Sequence, residues 1–341
     1  MIDVLILMGG RSSEHDVSRS SAEGVLGAID RSRFHPRVVA IRRDGVWLHD
    51  GTPVALCPLS GGRAGLIALD SGAVEAVDVV FPVLHGPFGE DGTVQGLCET
   101  VGVPYVGAGV AASAVAMDKA LFKQLALQAG LPVAEAVTLT PRTWEQEGDA
   151  LRERIAALGL PVFTKPARLG SSIGITRVAT AEALDAAIRE AFLHDDLVLV
   201  ERGLSGREVE VGVLGDDELT VSPPGQIAFD ADWYDFETKY QAGRAELMIP
   251  APIPDDVAER TRELAARAYR AAGCEGMGRI DFFVTDDGQA VVSELNTIPG
   301  FTPTSAYPSL MAAAGVPYTE LVTRLIELAM ARHQRHAVLR R

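Results

Sequence analysis

The chain is expected to fold as a mixed α/β and α+β protein of three domains, and three observations carry that expectation. Its 341 residues correspond to two or three domains at roughly 100–200 residues each. Its first third alternates continuous apolar runs with amphipathic stretches, the pattern of a parallel sheet covered by helices. Its remainder holds two strand–turn–strand segments whose turns carry chemistry, a Gly/Ser loop at 166–174 and a hairpin at 278–296. We set the domains at 1–117, 118–214 and 215–341.

The elements follow in order. Val4 to Met8 is an unbroken apolar run, a strand buried on both faces, and Gly9-Gly10 ends it. A helix over about 17–29 and a strand at 37–41 come next. A second apolar run, Val77 to Leu84, leads into HGPFGEDG at 85–92, then a helix at 93–101 and a short strand at Tyr105-Val106. Ligands of parallel sheets bind beyond the carboxyl ends of the strands, and both Gly-rich turns fall on that edge. In the second domain Asp118 caps a helix carrying Leu121, Phe122, Leu125 and Ala129 on one side, stopped by Gly130 and Pro132. Strands at 161–165 and 175–178 flank the Gly/Ser loop, followed by a helix at 181–192 and strands at 197–201 and 208–214. In the third domain the polar, aromatic-rich stretch 230–241 lacks periodicity and reads as a long functional loop. Helices at 255–272 and 318–331 surround the hairpin.

Composition excludes several classes. Hydrophobic residues at 47% and charged residues at 23% are ordinary for a globular protein. A net charge of −15 argues against nucleic acid or an anionic membrane as partner. Cys57, Cys98 and Cys274 are scattered, with no CxxC spacing, so neither a disulfide framework nor a zinc site is expected, and a reducing cytosol is the simplest compartment. The N-terminal apolar run is too short to span a membrane and lacks the basic region of a signal peptide.

The hairpin is the most informative feature. A two-residue turn at Asp287-Gly288 sets Asp281 opposite Glu294 and Arg279 opposite Asn296. Facing carboxylates repel, and no lysine or arginine is expected between them, so the pair reads as a cation site. Oxygen ligands suit Mg²⁺ shared with substrate phosphates, which suggests a Mg-nucleotide site. The loop KPARLGSSIG at 165–174 has glycines that let backbone approach a phosphate, and amides and hydroxyls that donate to it. It is not a Walker loop, since no Gly-Lys-Ser/Thr is present. Alone, Lys119 reads as a surface lysine, Glu201 and Glu208 as solvated acids, and Glu14 as a first-turn acid favoured by the helix dipole. His85 reads as a turn residue or a substrate contact.

In order along the chain, GGRSSEHDVS at 9–18, HGPFGEDGTVQG at 85–96, MDK at 117–119, KPARLGSSIG at 165–174, YDFETKY at 234–240, GRIDFF at 278–283 and ELNTIPGFTPTSAYP at 294–308 resemble the D-alanine–D-alanine ligase family of the ATP-grasp superfamily. The resemblance spans about residues 3–328. It implies an ATP-grasp fold with a Rossmann-like N-terminal sheet, ATP and two Mg²⁺ (or Mn²⁺) ions, D-alanine as substrate, and a cytoplasmic homodimer. By it, Asp281, Glu294 and Asn296 hold the metals. Lys119, Lys165, Gly170, Ser171 and Ser172 hold the phosphates, Glu201 meets the adenine amine, Leu204 lies against the base, and Glu208 meets the ribose. Glu14 and His85 orient the first D-alanine. Arg279 and the Gly300 amide form an oxyanion hole. Ser305, with Ala306 beside it, receives the second D-alanine. Lys239 and Tyr240 close over the site, Lys239 toward both ATP and substrate, and Tyr240 hydrogen-bonds Ser171 and Glu14. Arg202-Gly203 and Ala306 depart from the commoner family pattern, in the adenine pocket and the second-substrate pocket respectively. The nearest rival is a D-alanine–D-lactate ligase, disfavoured by Tyr240. Broader rivals are another carboxylate–amine ligase of the superfamily and, from a different class, a catalytically silent nucleotide-binding protein.

Overall fold

The computed structural model describes residues 1–61, 63–229 and 245–339. The first sheet has seven strands: β1 (Ile2–Gly9), β2 (Phe34–Ile41), β3 (Trp47–His49), β4 (Thr52–Leu59), β5 (Arg63–Ala68), β6 (Val74–Val77) and β7 (Val79–Pro82), in the order β6-β5-β4-β3-β2-β1-β7. Only its heart is parallel: β1 pairs in parallel with β2 and β7, and Val80 bridges Tyr105 in the same sense. Val4, Leu5, Ile6 and Leu7 are fully buried, as strands covered on both faces require. From β2 to β6 the chain runs as an antiparallel meander, which the sequence analysis did not anticipate. The apolar run 77–84 is accordingly two strands, broken at Asp78, whose carboxylate accepts from the Asp3 amide at 2.8 Å. Helices α1 (His15–Ala28) and α2 (Thr93–Val101) complete this part.

Two short helices, α3 (Val110–Met117) and α4 (Lys119–Gln128), lead into a four-stranded antiparallel sheet. Asp118 caps α4 as expected, its carboxylate accepting from the Ala120 and Leu121 amides at 3.0 Å each. The buried face of α4 differs from the expected one. Leu121 is 49% exposed while Lys123 is 7% exposed, because Lys123 is drawn inward by a buried acid described below. The sheet comprises β8 (Ala136–Leu139), β9 (Val162–Pro166), β10 (Thr176–Val178) and β11 (Val198–Arg202), ordered β10-β9-β11-β8. Helices α5 (Pro141–Ala157) and α6 (Leu184–Phe192) supply the residues packed on it.

The third sheet contains β12 (Gly206–Leu214), β13 (Thr220–Val221), β14 (Gly225–Phe229), β15 (Ala245–Met248), β16 (Met277–Thr285) and β17 (Ala290–Asn296). β12 pairs with β16 along its whole length, so the strand we had assigned to the middle domain belongs here; the change of sheet falls in the 203–205 turn. β14 and β15 flank the stretch 230–244, which lies outside the described residues. Helix α7 (Asp255–Ala271) packs on this sheet. Helices α8 (Ala306–Ala313) and α9 (Tyr318–Ala337) share a core with β1, β7 and α1. That shared core fixes the first sheet to the end of the chain.

The hairpin β16–β17 reaches the expected pairing by another route. Thr285 N–H donates to Gln289 O and Gly288 N–H to Thr285 O, each at 2.9 Å, so the loop is Asp286-Asp287-Gly288, with Gly288 in the left-handed region at φ 81°, a type I turn with a bulge. Pairing then runs Val284↔Ala290, Phe283↔Val291, Phe282↔Val292 and, after a register shift, Asp281↔Glu294 and Arg279↔Asn296. Ser293 is the extra residue of a β-bulge. The longer loop moves the register by one and the bulge moves it back.

Candidate active site

The three sheets converge on one cleft. Across its floor β12, β16 and β17 align Glu210, Asp281 and Glu294 in register. Arg279 lies two residues along β16, on the same face. Its Nε and Nη2 each donate to Asp281 at 2.7 Å, and its Nε lies 3.5 Å from Glu210. Lys119 Nζ is 3.5 Å from Glu294 Oε2. The expectation of no cation beside the carboxylates is therefore corrected: Arg279 forks onto one and Lys119 approaches the other. Burial works against the Arg279 charge, but Asp281 and Glu210 outweigh it and hold its pKa well above the ordinary guanidinium value. Asn296 Nδ2 donates to Asp281 at 3.1 Å.

These donors fit a hard divalent cation only in part. Asp281, Glu294 and Asn296 offer two carboxylates and one amide, and no set of three or more His, Cys, Asp or Glu among the described residues forms a metal-holding group. Such an incomplete oxygen set suits an ion that takes its remaining ligands from water and phosphate.

The side facing the hairpin is built from β9, α4 and the 167–175 loop. Lys119 Nζ also donates to Leu169 O at 2.6 Å, tying the loop to the hairpin. Ser171 and Ser172 both have left-handed backbones, φ 52° and 58°, unusual for non-glycine residues and a mark of functional strain. Ser171 Oγ donates to Glu14 Oε1 at 2.5 Å. Glu14 immediately precedes α1 and is 9% exposed. A Cβ on Gly86 would lie 2.5 Å from Glu14 Oε2, and one on Gly170 3.2 Å from it, so a side chain at either position would press on the Glu14 carboxylate, and Gly86 is held besides in the left-handed region at φ 70°.

Lys165 on β9 and Glu201 on β11 are diagonal neighbours, Lys165 opposite Leu199 and Glu201 opposite Phe163. Lys165 Nζ donates to Glu201 Oε2 at 2.5 Å, while Lys123 Nζ donates to Glu201 Oε1 at 2.8 Å and to Ala134 O at 3.0 Å. Burial alone would raise the Glu201 pKa, but Lys165 and Lys123 together hold it below the ordinary carboxylate value. Burial likewise opposes the Lys165 charge, and Glu201 overcomes it. Glu208, opposite Phe283 on β12, adds its negative charge to the field at Lys165. Leu204 is half-buried in the turn before β12.

His85 was expected to touch substrate, but both its ring nitrogens are engaged internally. Nδ1 lies 2.9 Å from Ile298 O, so it carries the proton and donates. Nε2 then accepts from Ser21 Oγ at 2.9 Å, and Ser21 Oγ in turn accepts from the Phe301 amide at 3.1 Å. Burial pushes the His85 pKa down, against the nearby Glu14 charge, which keeps the ring neutral and this network intact. His85 is thereby bonded to Ile298 directly and to Phe301 through Ser21. Beyond Phe301, Ser305 precedes α8, whose first residue is Ala306. Ser305 Oγ accepts from the Thr302 amide at 3.0 Å, and a Cβ on Gly300 would come within 3.1 Å of it. Lys239 and Tyr240 lie outside the described residues.

Three site residues were missed. Lys123 shares a helix face with Lys119 at i,i+4 spacing, and that spacing was the available signal. Glu210 follows Glu208 on the same strand face. Glu90, inside HGPFGEDG, accepts from the Gly86 amide at 2.7 Å and from the Ile298 amide at 3.2 Å. Burial, and then the Glu14 charge, push its pKa up to about 8.

Known proteins match the sequence and fold over nearly the full length of the chain. The family model for the D-ala D-ala ligase N-terminus matches residues 3–108, and that for the D-ala D-ala ligase C-terminus matches residues 125–327. The chain is similar to a D-alanine–D-alanine ligase of Deinococcus radiodurans, 50% identical over 332 residues that cover 96% of this chain and 98% of the relative. It is also similar to D-alanine–D-alanine ligase A of Mesorhizobium japonicum, at 48% identity over 97% of this chain and 98% of the relative. Among solved structures, a D-Ala:D-Ser ligase of Enterococcus faecalis superposes with a TM-score of 0.87 at 36% identity, covering 96% of this chain and 99% of its own. The D-alanine–D-alanine ligase of Coxiella burnetii gives 0.86 at 32%, covering 98% and 96%.

Proposed function

This chain belongs to the D-alanine–D-alanine ligase family, and from that premise we propose how its cleft is used. It is an ATP-dependent ligase that joins two D-alanine molecules into D-alanyl-D-alanine for peptidoglycan synthesis. The observation that carries the division of roles is the Ser171–Glu14 hydrogen bond. It joins the loop suited to phosphate to the helix start suited to an amino acid, with Lys119 linking the same loop to Glu294.

The first D-alanine sits by Glu14, and its carboxylate oxygen attacks the γ-phosphoryl of ATP, breaking the bond to the bridging oxygen so that ADP leaves and a D-alanyl phosphate forms. Lys119, Lys165 and the amides and hydroxyls of Gly170, Ser171 and Ser172 orient the phosphates and share their charge. Asp281, Glu294 and Asn296 would hold two divalent ions, Mg²⁺ or Mn²⁺, which when bound neutralise charge on the transferring group. Glu201 accepts from the adenine amine, Leu204 flanks the base and Glu208 binds the ribose. The amine of the second D-alanine, seated by Ser305 and Ala306, attacks the acylphosphate carbonyl, and the tetrahedral intermediate loses a proton from nitrogen and expels inorganic phosphate to leave the amide. Arg279 and the Gly300 amide stabilise the resulting oxyanion, a donor of this kind being worth about 3–4 kcal/mol. The Asp281 fork aims Arg279 and leaves its Nη1 without a hydrogen bond among the described residues. Lys239 and Tyr240 close the cleft against water, and the enzyme works as a homodimer in the cytoplasm, which sedimentation velocity tests.

The acceptor reading is D-alanine, because both matching family models and the relatives at 48–50% identity are those of D-alanine–D-alanine ligases, while overall identity to the solved structures does not separate the two acceptors, the D-Ala:D-Ser ligase standing at 36% and the Coxiella burnetii enzyme at 32%. Mass spectrometry of products made from ATP and D-alanine, with D-serine or D-lactate added in competition, tests it. Dipeptide as the main product is the expected result; mainly mixed product or depsipeptide refutes the acceptor, and no phosphate release with D-alanine alone refutes the activity.

A further inference from the structure

We infer that Lys123 is a positioning residue that keeps Glu201 an acceptor-only carboxylate, and thereby selects a purine with an amino group at position 6 over one with an oxo group. The inference rests on the reading above in which Glu201 meets the adenine amine. Glu201 is 6% exposed and Lys123 7% exposed. Its two oxygens are divided between two lysines, Oε2 taking Lys165 and Oε1 taking Lys123. The lysines differ in what else they can reach. Lys165 stands on β9 just before the Gly/Ser loop and feels Glu294 and Glu208 as well as Glu201, so a triphosphate entering the cleft draws it away. Lys123 is anchored at its other side by Ala134 O, and Lys119, one turn earlier on α4, is the lysine that faces the loop. Lys123 therefore stays with Glu201 when Lys165 leaves.

What remains decides the nucleotide. β8 sets Ala136 opposite Glu201 and brings no charge to it. Without Lys123, a nucleotide-bound enzyme would hold a deeply buried carboxylate with no cation beside it among the described residues. Such a group takes up a proton. A protonated carboxyl offers an O–H donor, which matches a 6-oxo purine as well as the ionised form matches a 6-amino purine. The charge of Lys123, more than its hydrogen bond, is then the source of discrimination.

The test compares kcat/KM for ATP with that for inosine triphosphate, D-alanine being saturating, in the full-length wild type, Lys123→Gln, Lys123→Arg and Glu201→Gln. Lys123→Gln keeps a donor but loses the charge, and should shrink the ATP preference by roughly tenfold or more, the scale of a charge-assisted hydrogen bond, mainly through nucleotide KM. Lys123→Arg should restore most of it. An unchanged ratio in folded Lys123→Gln overturns the inference. An unchanged ratio in Glu201→Gln overturns instead the placement of Glu201 at the base. Should Lys123→Gln fail to fold, Lys123→Met in the Glu201→Gln background removes both charges together. It must leave the Glu201→Gln ratio as it is, and any further change shows that Lys123 does not act through Glu201.

Discussion

Arg279 changes what the facing carboxylates mean. A bare Asp281–Glu294 pair would be relieved by neutralising either member, but the two acids are not equivalent. Asp281 holds a bidentate guanidinium on a partly buried floor, whereas the Glu294 side chain is 30% exposed and lies 3.5 Å from Lys119. Glu294→Gln should abolish divalent-dependent turnover and leave stability near wild type. Asp281→Asn should abolish turnover and also cost about 3 kcal/mol, because Arg279 loses its partner. Urea unfolding of both variants, beside a phosphate-release assay across Mg²⁺ concentrations, checks this. Equal stability of the two variants would show that the fork contributes nothing. The pairing of Asp281 with Glu294 was legible in the sequence because the two strand runs align around one turn. The Arg279 contact was legible too, since residues two apart on a strand share a face, but the Lys119 contact was not, since Lys119 arrives from a helix 175 residues before Glu294 with no local pattern.

Among the elements, the 167–175 loop carries its function in its backbone. Two successive serines in the left-handed region are a cost that glycine would avoid. Ser172→Gly should therefore be neutral or stabilising by about 0.5 kcal/mol, while Ser172→Val, β-branched at φ 58°, should cost about 1–2 kcal/mol. Ser171→Ala should instead leave stability little changed and lower kcat/KM for D-alanine, since it removes the hydroxyl that grips Glu14. Unfolding midpoints and steady-state kinetics separate the two serines, and a Ser172→Val as stable as wild type would rule out the strain. The loop, its flanking strands and the helices around the hairpin were readable from Gly/Ser composition and apolar periodicity. The β3–β6 meander was not, because β3 and β6 are only three and four residues long, Pro53 and Pro58 within β4 disguise it as a non-strand, and antiparallel edges leave no long apolar run. The allegiance of β12 to the third sheet was equally hidden, because a strand pattern specifies faces but not neighbours.

For the whole molecule, the 85–90 turn is where the first sheet meets the end of the hairpin, and its proton balance sets a pH dependence of folding. His85 and Glu90 both bind Ile298, through its carbonyl and its amide. Burial drives them in opposite senses, His85 down and Glu90 up to about 8. In the unfolded chain they titrate near 6.5 and 4.3. A carboxyl raised on folding binds its proton more tightly in the folded state, so stability falls as pH rises from about 4.3 to 8. A histidine lowered on folding is protonated only in the unfolded chain below 6.5, so stability falls as pH drops from there toward its folded value. Where the windows overlap, the folded pair carries one proton on Glu90 and the unfolded pair one on the histidine, and the slopes cancel. From 6.5 to 8 only the Glu90 effect survives. The pair should therefore make wild-type stability fall between pH 6.5 and 8. Glu90→Gln should abolish that fall and expose a loss on acidification below 6.5, and His85→Gln should extend the fall down toward pH 4.3. Urea midpoints from pH 4.5 to 8.5, taken as differences between each variant and wild type, cancel the other titrating groups. A Glu90→Gln difference that is flat from 6.5 to 8 would mean that Glu90 is already ionised in the folded enzyme, and that the turn is held by a charged carboxylate.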